Sequence, residues 1–128
     1  MHDPILVTNK SNSRTGNYDK FTTWLLLGEM NTQQSEISIQ ITDVQPNGMQ
    51  GLHRHSQVQC YYIVQGQGEV LIDGASKVVN VGDAILIPSN AEHGIRNMGA
   101  TVLQYLTANR CFASEVEKQT WSESELTL

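Results

Sequence analysis

Between positions 35 and 44 the chain alternates. Ile37, Ile39 and Ile41 take every second place, with Ser38, Gln40 and Thr42 between them. This two-residue period predicts a half-buried strand, the clearest in the sequence. Residues 21–29 (FTTWLLLGE) are rich in β-formers and close at Gly28, and Pro46-Asn47-Gly48 reads as a turn. Further extended pieces follow at 49–55, 59–64 (QCYYIV), 69–73 and 77–81, with a hairpin at Asp73-Gly74 and a turn at Gly82-Asp83. AILI at 84–87 reads as a short buried strand stopped by Pro88-Ser89-Asn90, and 93–97 and 101–107 are the last two strands, split by Gly99.

The two ends are patterned differently. Residues 1–20 have no sustained period and read as an arm or loop, with Ile5, Leu6 and Val7 as a short edge strand. Residues 113–128 carry Glu115, Glu117, Glu123 and Glu125 and read as a short acidic tail, helical or disordered, with Trp121 packing back on the body. The division expected is an N-terminal arm or edge strand at 1–20, a β-barrel at 21–112 and a C-terminal tail at 113–128. Short strands separated by turn signals, with no convincing helix, predict an all-β sandwich or small barrel.

Composition narrows the partners. A chain of 128 residues is one domain by size, and 39% hydrophobic residues is ordinary. A net charge of −5 with scattered basic residues argues against nucleic acid and anionic membrane as partners. No apolar run approaches the ~20 residues of a membrane helix, and no signal peptide is visible. Cys60 and Cys111 are too few for a disulfide framework and are expected as free thiols, which with the missing signal places the protein in the cytoplasm.

The chemistry concentrates in residues 48–66, GMQGLHRHSQVQCYYIVQG. Residues i and i+2 of a strand share a face, so His53 and His55 project together, with Arg54 on the other side. Two imidazoles on an inner wall are costly to bury unless both nitrogens are satisfied, which a divalent metal does. Gln59 has the same parity, but six residues of continuous strand from His53 span about 20 Å. Both reach one ion only if the chain bends between His55 and Gln59, at Ser56-Gln57-Val58. His93 must then arrive from a distant strand. Three imidazole nitrogens and an amide oxygen form a neutral set suited to Fe, Mn, Ni, Zn, Co or Cu rather than Ca or Mg. With Gln59 in place of a carboxylate, the ion keeps its full charge as a Lewis acid but is held less tightly.

His53, His55, Gln59 and Gly66 fall at the spacing of the first cupin motif, G-x5-H-x-H-x3,4-E-x6-G. Gln stands for Glu, and Gly48 lies one residue too close. Gly82, Pro88, His93 and Asn97 match the second motif, G-x5-P-x-G-x2-H-x3-N, with Asn90 in place of its second glycine. Asn tolerates positive φ, so that change is mild. The chain therefore resembles the small single-domain cupins over about residues 35–108. The resemblance implies a double-stranded β-helix (jelly-roll) barrel with a metal in its mouth, and a homodimer. For activity it leaves isomerases and tautomerases, lyases, dioxygenases and non-catalytic binding or sensor modules open.

The expected metal ligands are thus His53, His55, Gln59 and His93, with a small polar oxygen-bearing molecule as substrate or ligand. For Gln59 the alternative is an amide that orients a bound water. Tyr61 shares the parity of Gln59 and is a weak candidate for general acid or substrate contact, against core packing. Gln57 in the bend and Arg96 beside His93 are weak candidates for substrate binding, against solvated surface positions. Cys60 is out of phase and faces away. Asn97 is in phase with His93 and is expected to bond backbone near a turn.

Overall fold

The computed structural model describes residues 4–111. Trp121 and the acidic tail lie outside the described residues. Ten strands form two antiparallel sheets. These are β1 (Arg14–Tyr18), β2 (Phe21–Leu27), β3 (Ser38–Val44), β4 (Met49–His53), β5 (Gln59–Gln65), β6 (Gln67–Ile72), β7 (Ala75–Asn80), β8 (Ala84–Ile87), β9 (His93–Asn97) and β10 (Leu103–Asn109). One sheet has the order β1-β2-β3-β10-β5-β8, the other β4-β9-β6-β7. From β3 onward the chain crosses between the sheets at most connections, which is the jelly-roll course expected from the sequence. Among the described residues helix is confined to one turn at Lys10–Asn12 and the four residues Glu29–Thr32.

The turn chemistry explains several of these joints. Asp73 (φ 47°) and Gly74 (φ 84°) both take left-handed geometry, as a two-residue hairpin between β6 and β7 demands. At Gly66 the φ of 84° coincides with a close approach, since a Cβ there would lie 2.6 Å from the Val102 carbonyl oxygen. Asn90 has φ 63°, so it fills the glycine place of the second motif by adopting the glycine's conformation.

Two expectations need correction. The edge strand comes from Arg14–Tyr18, not from Ile5, Leu6 and Val7, which are exposed. β1 pairs with β2 from Tyr18↔Phe21 to Arg14↔Leu25, and the Tyr18 and Phe21 rings stack at 4.8 Å. The polar stretch hid this strand because its alternation is carried by Gly16 and Tyr18 rather than by aliphatic residues. β8 is not a buried strand. It ends the six-stranded sheet, and Leu86 is 66% exposed. The half-buried strand expected at β3 forms, with its isoleucines facing outward. Ser38, Gln40, Thr42 and Val44 are buried, while Ile39 and Ile41 are half-buried on the other side. Alternation fixes that a strand has two faces, not which one meets the core.

The core lies toward one end of the barrel. Phe21, Val44, Ile63, Val70, Val79, Ile87, Ile95, Leu103, Tyr61 and Tyr105 pack as one cluster. In the six-stranded sheet the deepest rows are apolar, with Phe21 beside Val44 and Val44 beside Leu103. Moving toward the other end, the same inner face becomes polar.

Candidate metal centre

His53 is the last residue of β4, His93 is the first of β9, and the two are direct cross-strand partners. Their rings lie 4.3 Å apart. β4 slips register against β9 between Gln50 and His53, where three residue steps face two on the partner. Such a bulge re-aims the side chains around it. Here the Gly51 carbonyl accepts a hydrogen bond from His53 Nδ1 at 2.8 Å. Gly94 allows the close packing of β9 on β4, since a Cβ there would lie 2.7 Å from the Gln50 carbonyl oxygen.

β4 stops at His53, so His55 sits in the bend rather than on the strand. The bend falls between His55 and Gln59 as geometry requires, and β5 starts at Gln59. The His55 ring still converges, 5.7 Å from His53 and 4.8 Å from His93. The turn before β9 clamps it there. Asn90 N–H donates to the His55 carbonyl at 2.8 Å, Ser89 Oγ to the Ser56 carbonyl at 2.6 Å, and Arg54 bridges to Glu92 at 3.5 Å. Gln57 contributes through its backbone, whose carbonyl accepts from His55 Nδ1 at 3.0 Å.

The three imidazoles are oriented alike. Each Nδ1 faces a carbonyl, with His93 Nδ1 donating to Ala91 at 2.8 Å. A carbonyl only accepts, so each Nδ1 carries the proton and each Nε2 presents a lone pair. His93 is fully buried, and its Nε2 has no hydrogen-bond partner. Burial holds His93 well below its ordinary range, to about 4, with the neighbouring His53 adding to the shift. Burial also lowers His53 and His55. All three are therefore neutral, ligating bases at pH 7. One ligating atom from each lies within 4.8 Å of the others. Nitrogens bound to one ion at ~2.1 Å sit roughly 3 Å apart, so small side-chain shifts bring this group onto a metal. The residues fit such an ion.

Gln59 is buried beside them. Its amide orientation follows from its neighbours. Asn109 Nδ2 donates to the Arg110 carbonyl at 2.7 Å, which leaves Asn109 Oδ1 as acceptor, and Gln59 Nε2 donates to it at 3.0 Å. The Gln59 oxygen is therefore the atom left for the histidine side, where Gln59 adjoins His55. Asn109, which the sequence reading missed, is thus the residue that aims Gln59. Its only sequence signal is the shared inward parity of β10.

The remaining expected residues separate. Tyr61 is buried, 6.2 Å from His93 and 4.8 Å from Tyr105 between ring centres. Arg96 is set aside as a ligand contact, because it is exposed and pairs with Glu69 on the outer side of its sheet. Cys60 is exposed and faces outward. Asn97 holds the β9–β10 connection. Its Nδ2 donates to the carbonyls of Val44 (2.9 Å) and Thr101 (2.8 Å), and its Oδ1 accepts from Gly99 N–H.

A profile of the cupin domain matches residues 40–109. An oxalate-binding protein from Thermotoga maritima is 34% identical over 62 residues, 48% of this chain and 51% of the relative. A dimethylsulfoniopropionate lyase from Ruegeria pomeroyi is 43% identical over 42 residues, 33% of this chain and 28% of the relative. The matches thus span about half the length of these relatives or less. Among solved structures, a predicted oxalate decarboxylase from Thermotoga maritima superposes with a TM-score of 0.73 at 22% identity, covering 84% of this chain and all of that one. With the motif residues in place and more than half its length matched, the chain belongs to the cupin family.

Proposed function

We propose that the protein is a metal-dependent enzyme. His53, His55, His93 and Gln59 hold one divalent transition-metal ion, and a small oxygen-bearing acid or carbonyl compound chelates the positions left open. The buried, unpartnered Nε2 of His93, converging with two more imidazoles, carries this reading. An unsatisfied buried nitrogen is destabilising unless something binds it. When bound, the ion supplies Lewis acidity toward a substrate oxygen or a water. The chain's own residues orient the histidines through backbone carbonyls, aim the Gln59 oxygen through Asn109, and present the Tyr61 ring beside His93 as the candidate acid or substrate contact. Isomerase or tautomerase, lyase and dioxygenase chemistry all fit this centre. Relatives named for oxalate and for a lyase reaction support a small organic acid.

A second reading is a non-catalytic binding module, favoured by the relative that is named for binding oxalate. Element analysis of purified, folded protein tests the base of both. Protein that carries no transition metal and takes up none rules out the metal centre. His53→Ala then separates the two readings, since an enzyme loses turnover while a module has no turnover to lose in any screen.

We also propose a homodimer formed through the outer face of the six-stranded sheet. Trp24, Ile41, Leu106 and Tyr62 form one cross-strand row there, and Ile39, Ala108, Cys60 and Leu86 form a second. A contiguous apolar face of this kind marks an interaction site. Among the described residues no helix is long and apolar enough to cross a membrane. The unbridged Cys60 and Cys111 fit a reducing compartment, and we place the protein in the cytoplasm.

A further inference from the structure

Two rows lead away from the histidines on the inner face of the six-stranded sheet. In the first, Gln59 pairs with Asn109 and Asn109 with Ser38. One pleat deeper, Tyr61 pairs with Thr107 and Thr107 with Gln40. All six side chains are buried. The rows start beside the histidines, since Gln59 adjoins His55 and Tyr61 meets the His93 ring. They end two strands away, about 10 Å at the ~4.8 Å spacing of strands.

Deeper hydroxyls on this face are paired. Thr42 Oγ1 donates to Thr23 Oγ1 at 2.9 Å, and the Tyr105 hydroxyl donates to Gln50. Ser38 Oγ and Thr107 Oγ1 differ, because each is buried without a hydrogen-bond partner. Such groups are destabilising where Ala or Val would pack as well. The buried polar side chains among the described residues include no Lys, Arg, Asp or Glu. Arg14, on the inner side of β1, lies two strands beyond β3.

We propose that these rows form a neutral recognition wall, with Ser38 and Thr107 as specificity-determining residues for the uncharged, hydroxyl-bearing arm of a ligand whose acid head sits at the metal. The inference rests on the metal-centre reading and names the ligand class for it. A ligand hydroxyl both donates and accepts, so it satisfies a Ser or Thr hydroxyl in either sense. An alkyl arm leaves both hydroxyls unpaired. A second carboxylate on the arm would be buried without a cation.

The test uses full-length protein loaded with cobalt(II), whose visible bands report ligands at the ion. Three 2-hydroxy acids of equal chain length share one head: D-gluconate, 2-hydroxyhexanoate and 2-hydroxyadipate. Gluconate is expected to bind at least about tenfold tighter than either of the others, the effect of two hydrogen bonds. Ser38→Ala combined with Thr107→Val is expected to erase its advantage over 2-hydroxyhexanoate while cobalt uptake is kept. The three-acid comparison on the unaltered protein stands even if the double variant folds poorly. Equal binding, a preference for either other acid, cobalt uptake with no response to any of the three, or a gluconate preference that survives the double substitution would each overturn the wall and leave the metal centre standing. Failure to take up cobalt overturns both.

Discussion

Along β3 the inner face reads Ser38, Gln40, Thr42, Val44, and the outer face reads Ile39, Ile41, Asp43. The outer face is the more hydrophobic of the two, the reverse of a strand that simply covers a core. β10 behaves similarly, with Thr107 and Asn109 inside against Leu106 and Ala108 outside. The difference reflects what each face meets. The inner face borders a site that needs hydrogen-bonding groups, and only its deep end, at Val44 and Leu103, fills with hydrocarbon. Among the described residues the outer face is covered in part. Lys10 lies 4.1 Å over the Trp24 ring and pairs with Asp43, and Thr8 bonds the Leu26 carbonyl at 2.8 Å. Hydrophobicity therefore marks two surfaces in this sheet, a deep core and an apolar exterior.

The comparison can be broken from either side. The largest effect is expected inside. His93→Ala removes a ligand from a neutral set and should weaken metal binding by at least about a hundredfold, read by element analysis after dialysis. Outside, Leu106→Glu places a charge in the middle of the apolar row. It should convert a dimer to a monomer by light scattering while metal content stays at the unaltered level. Loss of metal without dissociation would mean the two faces are not separable.

A smaller change is expected from Gln59→Glu combined with Asn109→Ser, which gives the new carboxylate a hydroxyl donor in place of the Asn109 oxygen. A carboxylate adds a unit of opposite charge at the ion, so metal affinity should rise by about tenfold if Gln59 ligates. Unchanged affinity in a metal titration would leave a three-histidine site. Acid sharpens the inner side further. His93 in the folded protein titrates at about 4, below its ordinary 6.5. Between those values the unfolded chain takes a proton that the folded one refuses. Metal-free protein should be at full stability above pH 6.5 and lose it as pH falls toward 4, seen as a lower Tm at pH 4.5 than at pH 7.5. The smallest effect falls on a paired hydroxyl. Thr42→Val breaks the bond to Thr23 and should cost about 1 kcal/mol in denaturant melts without touching metal uptake.

Much of the site could be read from the sequence because its constraints are local. The forced bend before Gln59 and the Pro88-Ser89-Asn90 turn before His93 follow from strand geometry, and both lie where expected. His55 beyond the strand end was not legible, because the bulge that ends β4 early depends on β9. Nor was Asn109, which acts only through a cross-strand neighbour fifty residues away. The facing of β3 was not legible either, for the same kind of reason. Pattern gives the period, and only the partners of a strand decide its inside.

The hydrogen bond from Gln59 to Asn109 has a consequence for how this centre could change over time. A glutamate at 59 would set a carboxylate oxygen against the Asn109 oxygen, and turning that amide around would break its bond to the Arg110 carbonyl. A change to the glutamate of the first cupin motif is therefore a two-position move, with residue 109 needing to become a donor toward 59 at the same time. Among descendants of this chain, positions 59 and 109 are expected to be inherited as a pair, so that the charge of the metal centre is stored in two strands at once.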